Sequence, residues 1–297
     1  MMRIPEYKTG VILVMFAGVA WSTMGLGLRL LEDARTWQVL LYRSAALAPT
    51  LFALIAFRSG GHPFRQIRRA GLPVATGAVG LVMAYAGGIY AIQSTTVANA
   101  VFLFAIAPFF TAILAWGLLA EPVRKATWIA LAVASVGVAI MVREGLAAGA
   151  LAGNVAAGGG SALGFAIFTV SLRWGKLDDM LPAVLVSALL AILVSFFMCL
   201  ALGWSLILSP WDVGVTASMG VFQLGLGLTL YAIGSKAVPA AELTLLSMTE
   251  VMLGPFWVWL FLGEAASGWT FAGGFILLAA IAGNAVSGVR HRPPAIM

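Results

Sequence analysis

The sequence predicts an all-α integral membrane protein: ten transmembrane helices, arranged as two inverted five-helix repeats with both termini in the cytoplasm. Three observations predict it. The chain is 62% hydrophobic and 9% charged, where a soluble domain carries about 25% charged residues, and 11 acids cannot cover the water-facing surface of 297 residues. Ten apolar segments follow one another, each near the roughly 20 residues that cross about 30 Å of hydrocarbon. Finally, "YAIQSTTVANA" at 90–100 returns as "YAIGSKAVPAA" at 231–241, 141 residues later.

Segment one, 10–31, follows "MMRIPEYKTG". No small-residue cleavage site follows that lead, so the segment reads as a retained span rather than a signal peptide. Segment two, 37–57, holds Arg43 and Pro49, and segment three, 71–92, begins after the basic break "RSGGHPFRQIRRAG". Segment four, 97–119, carries Pro108 and closes on "AWGLLAE"; "EPVRKA" then leads to segment five, 126–142. Gly145, Gly149, Gly153 and the run Gly158, Gly159, Gly160 surround the start of segment six, 152–173. Such glycines let helices approach closely where no hydrophobic effect drives them together.

Segment seven, 181–203, contains the single cysteine, Cys199, which has no disulfide partner and reads as a packed free thiol. Segment eight, 212–234, includes "QLGLGLTL"; with no strand before it and no basic residue beside it, this is not a phosphate loop. Segment nine, 239–262, carries Glu242, Glu250 and Pro255 and closes on "VWLFLGE"; segment ten is 268–289.

Lys and Arg in short loops stay cytoplasmic. With the N-terminus inside, 13 of the 17 basic residues collect on the inner side, Arg29, Arg35 and Arg143 fall outside, and Arg43 lies within a span. The repeat has further landmarks. Arg29 in "LGLRLL" matches Arg173 in "TVSLRW", 144 residues on, and Glu121 matches Glu264, 143 residues on. Each glutamate has Trp five residues earlier (Trp116, Trp259) and Leu two residues earlier (Leu119, Leu262). The halves are 1–147 and 148–297. Five spans is an odd number, so the second half enters the membrane from the opposite side, an arrangement found in many secondary transporters.

Other classes fail on placement. The basic residues sit in short loops rather than on one soluble face, which excludes a nucleic-acid partner. Both histidines, His62 and His291, are in loops, so neither a zinc site nor a Ser-His pair assembles within the membrane. No enzyme, metal or cofactor is expected.

Ten spans duplicated five plus five, and "APFFTAILAWGLLAEP" with its proline a few turns before Gly/Ala-Glu, resemble the EamA family of the drug/metabolite transporter superfamily. Within it the chain is most similar to the YddG-type amino-acid exporters of bacterial inner membranes. One departure is visible: Val251 stands where the repeat puts Pro108, and the second proline arrives one turn later as Pro255.

Ionisable groups inside spans are the sharpest chemical signal, each costing at least ~2.5 kcal/mol at a helix centre. Glu250, mid-segment, is a candidate for a substrate ammonium or a coupling proton, and equally for folding or gating. Glu242 is a second candidate, or an interfacial carboxylate paired with Lys236 or a loop arginine. Arg43 is expected to pair with a carbonyl or carboxylate near the outer face. Pro108 and Pro255 are gating candidates, because proline frees a carbonyl and bends a span.

The resemblance implies that segments one, three, four, six, eight and nine line a central cavity. It would take polar contacts from Tyr85, Tyr90, Asn99, Gln223, Tyr231, Thr244, Ser247 and Thr249, with Met248 beside them and apolar walls from Trp21, Phe102, Phe165 and Phe168. It also implies export of amino acids, aromatic and neutral ones included, by alternating access. Small-molecule substrate, membrane lipid and protons are the expected partners, and a monomer the expected state. The alternatives are a proton-coupled exporter of cationic drugs and a non-transporting membrane scaffold.

Overall fold

A computed structural model describes residues 7–58, 63–120, 125–147, 151–175, 181–234 and 240–289. Every predicted apolar segment is helical there, and no strand occurs among the described residues. The helices are α1 (Tyr7–Ser22), α2 (Met24–Arg29), α3 (Thr36–Arg58), α4 (Pro63–Ser94), α5 (Val97–Phe104), α6 (Ala107–Leu119), α7 (Lys125–Ala147), α8 (Leu151–Val155), α9 (Leu163–Trp174), α10 (Leu181–Ala201), α11 (Pro210–Ser218), α12 (Gly227–Gly234), α13 (Ala240–Leu262) and α14 (Gly268–Val289). π-helical turns, Ala156–Ala162 and Met219–Leu226, join α8 to α9 and α11 to α12.

Seven of the resulting helical stretches are long and apolar enough to cross a membrane: Tyr7–Arg29, Thr36–Phe57, Gly71–Ser94, Val97–Leu119, Leu151–Leu172, Leu181–Ala201 and Pro210–Tyr231. Three shorter apolar helices, Lys125–Ile140, Glu250–Leu262 and Gly268–Gly283, accompany them.

The interruptions have local causes. Between α1 and α2, the hydroxyls of Ser22 and Thr23 donate to the carbonyls of Val19 and Ala20, each at 2.7 Å; such back-bonding bends helices. Gly71 (φ 59°, ψ −139°) turns the polar start of α4 into its apolar length. The break at Ala105–Ile106 falls just before Pro108 in the first turn of α6, where the missing N–H costs least. α13, by contrast, runs unbroken through Pro255.

Glycine sets the closest contacts. A Cβ on Gly80 would lie 2.7 Å from the Gly164 carbonyl, and one on Gly164 2.5 Å from the Gly80 carbonyl, so α4 and α9 touch backbone to backbone. Two turns along, a Cβ on Gly87 would meet Ser161 N at 2.6 Å and the Ala156 carbonyl at 2.7 Å, within the π-helical turn. Gly137 on α7 faces the Gly273 carbonyl of α14 in the same way, at 2.6 Å. α3 packs along α10, and α1 lies between α12 and α13.

One end of the bundle is sealed by polar bonds. Asp212, 1% exposed, accepts the backbone N–H groups of Glu32 (2.9 Å), Asp33 (3.2 Å) and Ala34 (3.0 Å), which fixes the α2–α3 connection. Gln38 donates to the Ser205 carbonyl and Tyr42 to the Leu206 carbonyl, both at 2.7 Å. Trp211 donates to the Leu30 carbonyl at 2.8 Å, and Gln93 to that of Ala34 at 2.8 Å.

Candidate functional site

Arg43 lies well inside the stretch Thr36–Phe57 and is 1% exposed. Its guanidinium carbon sits 4.9 Å from the centre of the Tyr85 ring on α4. All three side-chain nitrogens are buried without a hydrogen-bond partner. The expected pairing with a carbonyl or carboxylate is therefore corrected: Arg43 rests on an aromatic face instead. Three of the acids at the sealed end are already engaged, and the fourth, Asp33, is exposed. Asp212 holds the α2–α3 backbone, Glu32 accepts from Ser209 (3.1 Å), and Glu264 pairs with Arg29. The hydroxyl of Tyr85 points toward Ser187 on α10.

A second group forms beside it. The indole of Trp21 stands 5.3 Å from the ring of Tyr231, tilted by 41°. Gln223 donates to the Trp21 carbonyl at 3.3 Å, while Trp21 Nε1 and Gln223 Oε1 are buried without partners. Glycine makes room for both groups: a Cβ on Gly227 would collide with the Trp21 indole, and one on Gly220 with the Arg43 carbonyl. The π-helical turn Met219–Leu226 thus touches Arg43 through Gly220 and Trp21 through Gln223.

Asn99 hydrogen-bonds Asn154 of α8 and, at 3.1 Å, the hydroxyl of Thr95. Asn99 Oδ1 and Asn154 Nδ2 remain buried and unpartnered. Phe165 is 39% exposed between Phe104 (5.5 Å) and Phe168 (5.9 Å), and Phe168 is buried. Phe102 is buried against α14, where a Cβ on Gly274 would meet its ring at 2.6 Å. Tyr90 is 43% exposed. Glu250 is half-buried in α13. Glu242, Thr244, Ser247 and Met248 share that helix, but their side chains lie outside the described residues, as does Lys236 altogether. Pro108 begins α6 and Pro255 lies within α13.

The structure thus joins Trp21, Gln223 and Tyr231 in one cluster and brings Tyr85 to Arg43. Sequence reasoning passed over Asn154, Ser187, Ser22 and Trp257, whose Nε1 donates to Ser22 at 2.8 Å. Asn154 and Ser187 were visible as polar residues in segments six and seven; the Ser22–Trp257 bond left no sequence signal.

At the sealed end, Arg29 Nε meets Glu264 Oε2 at 2.7 Å, and Arg29 Nη2 donates to the Thr95 carbonyl at 2.6 Å. Glu264 Oε1 accepts the Val97 N–H at 2.8 Å, capping the start of α5. One ion pair so ties α2, the α4–α5 corner and the end of α13. Among the described residues, no group of three His, Cys, Asp or Glu is placed to hold a metal.

Long apolar helices joined by glycine-faced contacts define a multi-pass membrane protein. Its family is shown by sequence: the EamA-like transporter family model matches residues 8–143 and again 155–286, and the chain belongs to that family, within the drug/metabolite transporter superfamily. No curated protein matches. A solved crystal structure, described only as that of a protein, superposes with a TM-score of 0.67 at 17% identity, covering 97% of this chain and 100% of that one; the likeness is one of fold.

Proposed function

We propose that this chain is a secondary transporter that exports amino acids across the bacterial inner membrane, as the YddG-type exporters it resembles do. Its ten spans form two inverted five-helix repeats, 1–147 and 148–297, with both termini cytoplasmic, and alternate access to a central site. The observation that carries this reading is the doubled family match, at 8–143 and 155–286. Two structural parallels support it. Ala120 and Gly263, which precede the repeat-related Glu121 and Glu264, both end their helices in the left-handed conformation, with φ 53° and 68°. The helix contacts also pair off: α4 lies on α9 and α6 on α9, as α12 lies on α1 and α13 on α1.

Two like halves that enter the membrane from opposite sides give a mechanism by exchange of conformations. Whichever half-structure closes one side, its counterpart can close the other. The Arg29–Glu264 pair closes the side that the distribution of basic residues puts outside. Glu250, within α13, supplies a carboxylate for a substrate ammonium or a coupling proton.

The test is flux of labelled L-leucine and L-phenylalanine into proteoliposomes of the purified protein, with and without a pH gradient, beside Glu250→Gln. Saturable flux indifferent to the gradient identifies a facilitator. Gradient-driven flux that Glu250→Gln uncouples identifies a proton-coupled carrier. No protein-dependent flux of any amino acid, from folded protein, sinks the substrate class.

A further inference from the structure

Taking the reading as an amino-acid carrier for its starting point, we propose that Arg43 docks the substrate's carboxylate. The carrier then accepts small molecules bearing a single carboxylate and rejects the corresponding amines and amides. Buried polar groups in native folds nearly always have partners, and a buried charge without one is strongly destabilising. Arg43 breaks both rules, with all its nitrogens unpartnered in a side chain 1% exposed. A sequence that keeps such a group in the membrane has a use for its donors.

The surroundings select the ligand. Tyr85, with its ring centre 4.9 Å from the guanidinium carbon, steadies the cation through its face without cancelling the charge. An aromatic face accepts no N–H bond in the guanidinium plane, so the planar fork stays available, and that fork matches a carboxylate bidentately. Among the described buried side chains, Arg43 is the one cation. Arg29 is paired to Glu264, and Arg35 lies 5.1 Å from the Trp204 ring centre at the sealed end. A phosphate monoester, at about −1.5 to −2, would remain under-neutralised, whereas a carboxylate would not. Gln223 Oε1, unpartnered on the segment whose Gly220 touches the Arg43 backbone, offers an acceptor for an ammonium nearby. Entry requires the walls around Arg43 to part, and one of them is irregular: the π-helical turn Met219–Leu226, which meets Arg43 through Gly220.

The experiment measures binding to the purified full-length protein in detergent for four forms of one side chain: L-phenylalanine, 3-phenylpropionate, phenethylamine and L-phenylalaninamide. Inorganic phosphate serves as a competitor. The proteins are wild type, Arg43→Lys and Arg43→Gln. We expect both carboxylates to bind wild type at least about tenfold more tightly than the amine and amide. Arg43→Gln should lose about ten- to hundredfold for the carboxylates alone, and Arg43→Lys should fall between. Equal affinity for all four forms, or an unchanged Arg43→Gln, overturns the proposal; displacement of the carboxylates by phosphate overturns its choice of class. Arg43-dependent binding of 3-phenylpropionate without L-phenylalanine binding sinks the amino-acid reading and leaves Arg43 its role. L-phenylalanine binding indifferent to Arg43 does the reverse, and no carboxylate binding at all sinks both. Without ligand, Arg43→Met should melt at a higher temperature than wild type; a fall would make Arg43 a structural strut and overturn the proposal.

Discussion

Ala120 has φ 53°, alone among the described non-glycine residues in lying at positive φ. Left-handed backbone costs an L-residue about 1 kcal/mol or more, and glycine escapes that cost, as Gly263 does at the matching place. Ala120→Gly should therefore raise stability by about 1 kcal/mol, and Gly263→Ala should lower it by a similar amount, read from melting in detergent. Glu264 does two things at once, pairing with Arg29 and capping Val97. We expect Glu264→Gln, which keeps the size and one acceptor, to cost about 1–2 kcal/mol, and Glu264→Ala more, since the Val97 N–H is then stranded and Arg29 keeps only the Thr95 carbonyl. At this scale the sequence was legible where residues repeat: Arg29 and Glu264 stood out by their spacing. It was opaque at Arg43. An intramembrane arginine is easily read as one with a nearby acid, and only coordinates show that Asp212, Glu32 and Glu264 are engaged elsewhere.

At the scale of elements, the segments were readable because the bilayer fixes their length. All ten coincide with helices to within a few residues. Their interruptions were partly readable. Pro108 pointed to the break before α6, but Pro255 sits in an unbroken α13, because a proline within a span bends or breaks it only as its neighbours allow. The π-helical turns carried no pattern beyond glycine density, which also describes close packing. Here it is both, since Gly160 and Gly164 lie in or beside the turn that meets α4. Enlarging this contact is a direct test. Gly164→Leu should cost about 1–3 kcal/mol or more by overpacking, because backbone atoms of Gly80 and Ala84 stand in the way and cannot rotate aside. Gly158→Ala, with open space around its Cβ position, should be nearly neutral and serves as the control.

At the scale of the whole molecule, the sequence spoke through charge and repetition rather than through any contact. Thirteen basic residues against three argue for one orientation. Cys199 is the chain's single cysteine and is fully buried, so the natural protein is a quiet background for accessibility mapping. In cells, Asp33→Cys should react with a membrane-impermeant maleimide added outside, and Arg65→Cys only after permeabilisation; the opposite pattern would invert the topology. The polar site was less legible than the scaffold for a physical reason. Lipid-facing and interior positions in a span are both apolar, so spacing cannot tell Phe165 from Phe102, whereas burial separates them at once.

An unpaired guanidinium inside a bilayer is also an electrical element. Each elementary charge that moves through the full membrane field exchanges about 2.3 kcal/mol per 100 mV, and alternating access moves the field across a fixed charge even when the charge itself hardly moves. An empty carrier holding Arg43 alone and one loaded with a simple monocarboxylate such as 3-phenylpropionate differ by one unit, whereas a zwitterionic amino acid brings its own ammonium and leaves the net charge unchanged. Voltage should therefore act mainly on the return of the empty carrier when 3-phenylpropionate is carried, and on both legs alike for L-phenylalanine, a contrast that current across a planar bilayer would measure.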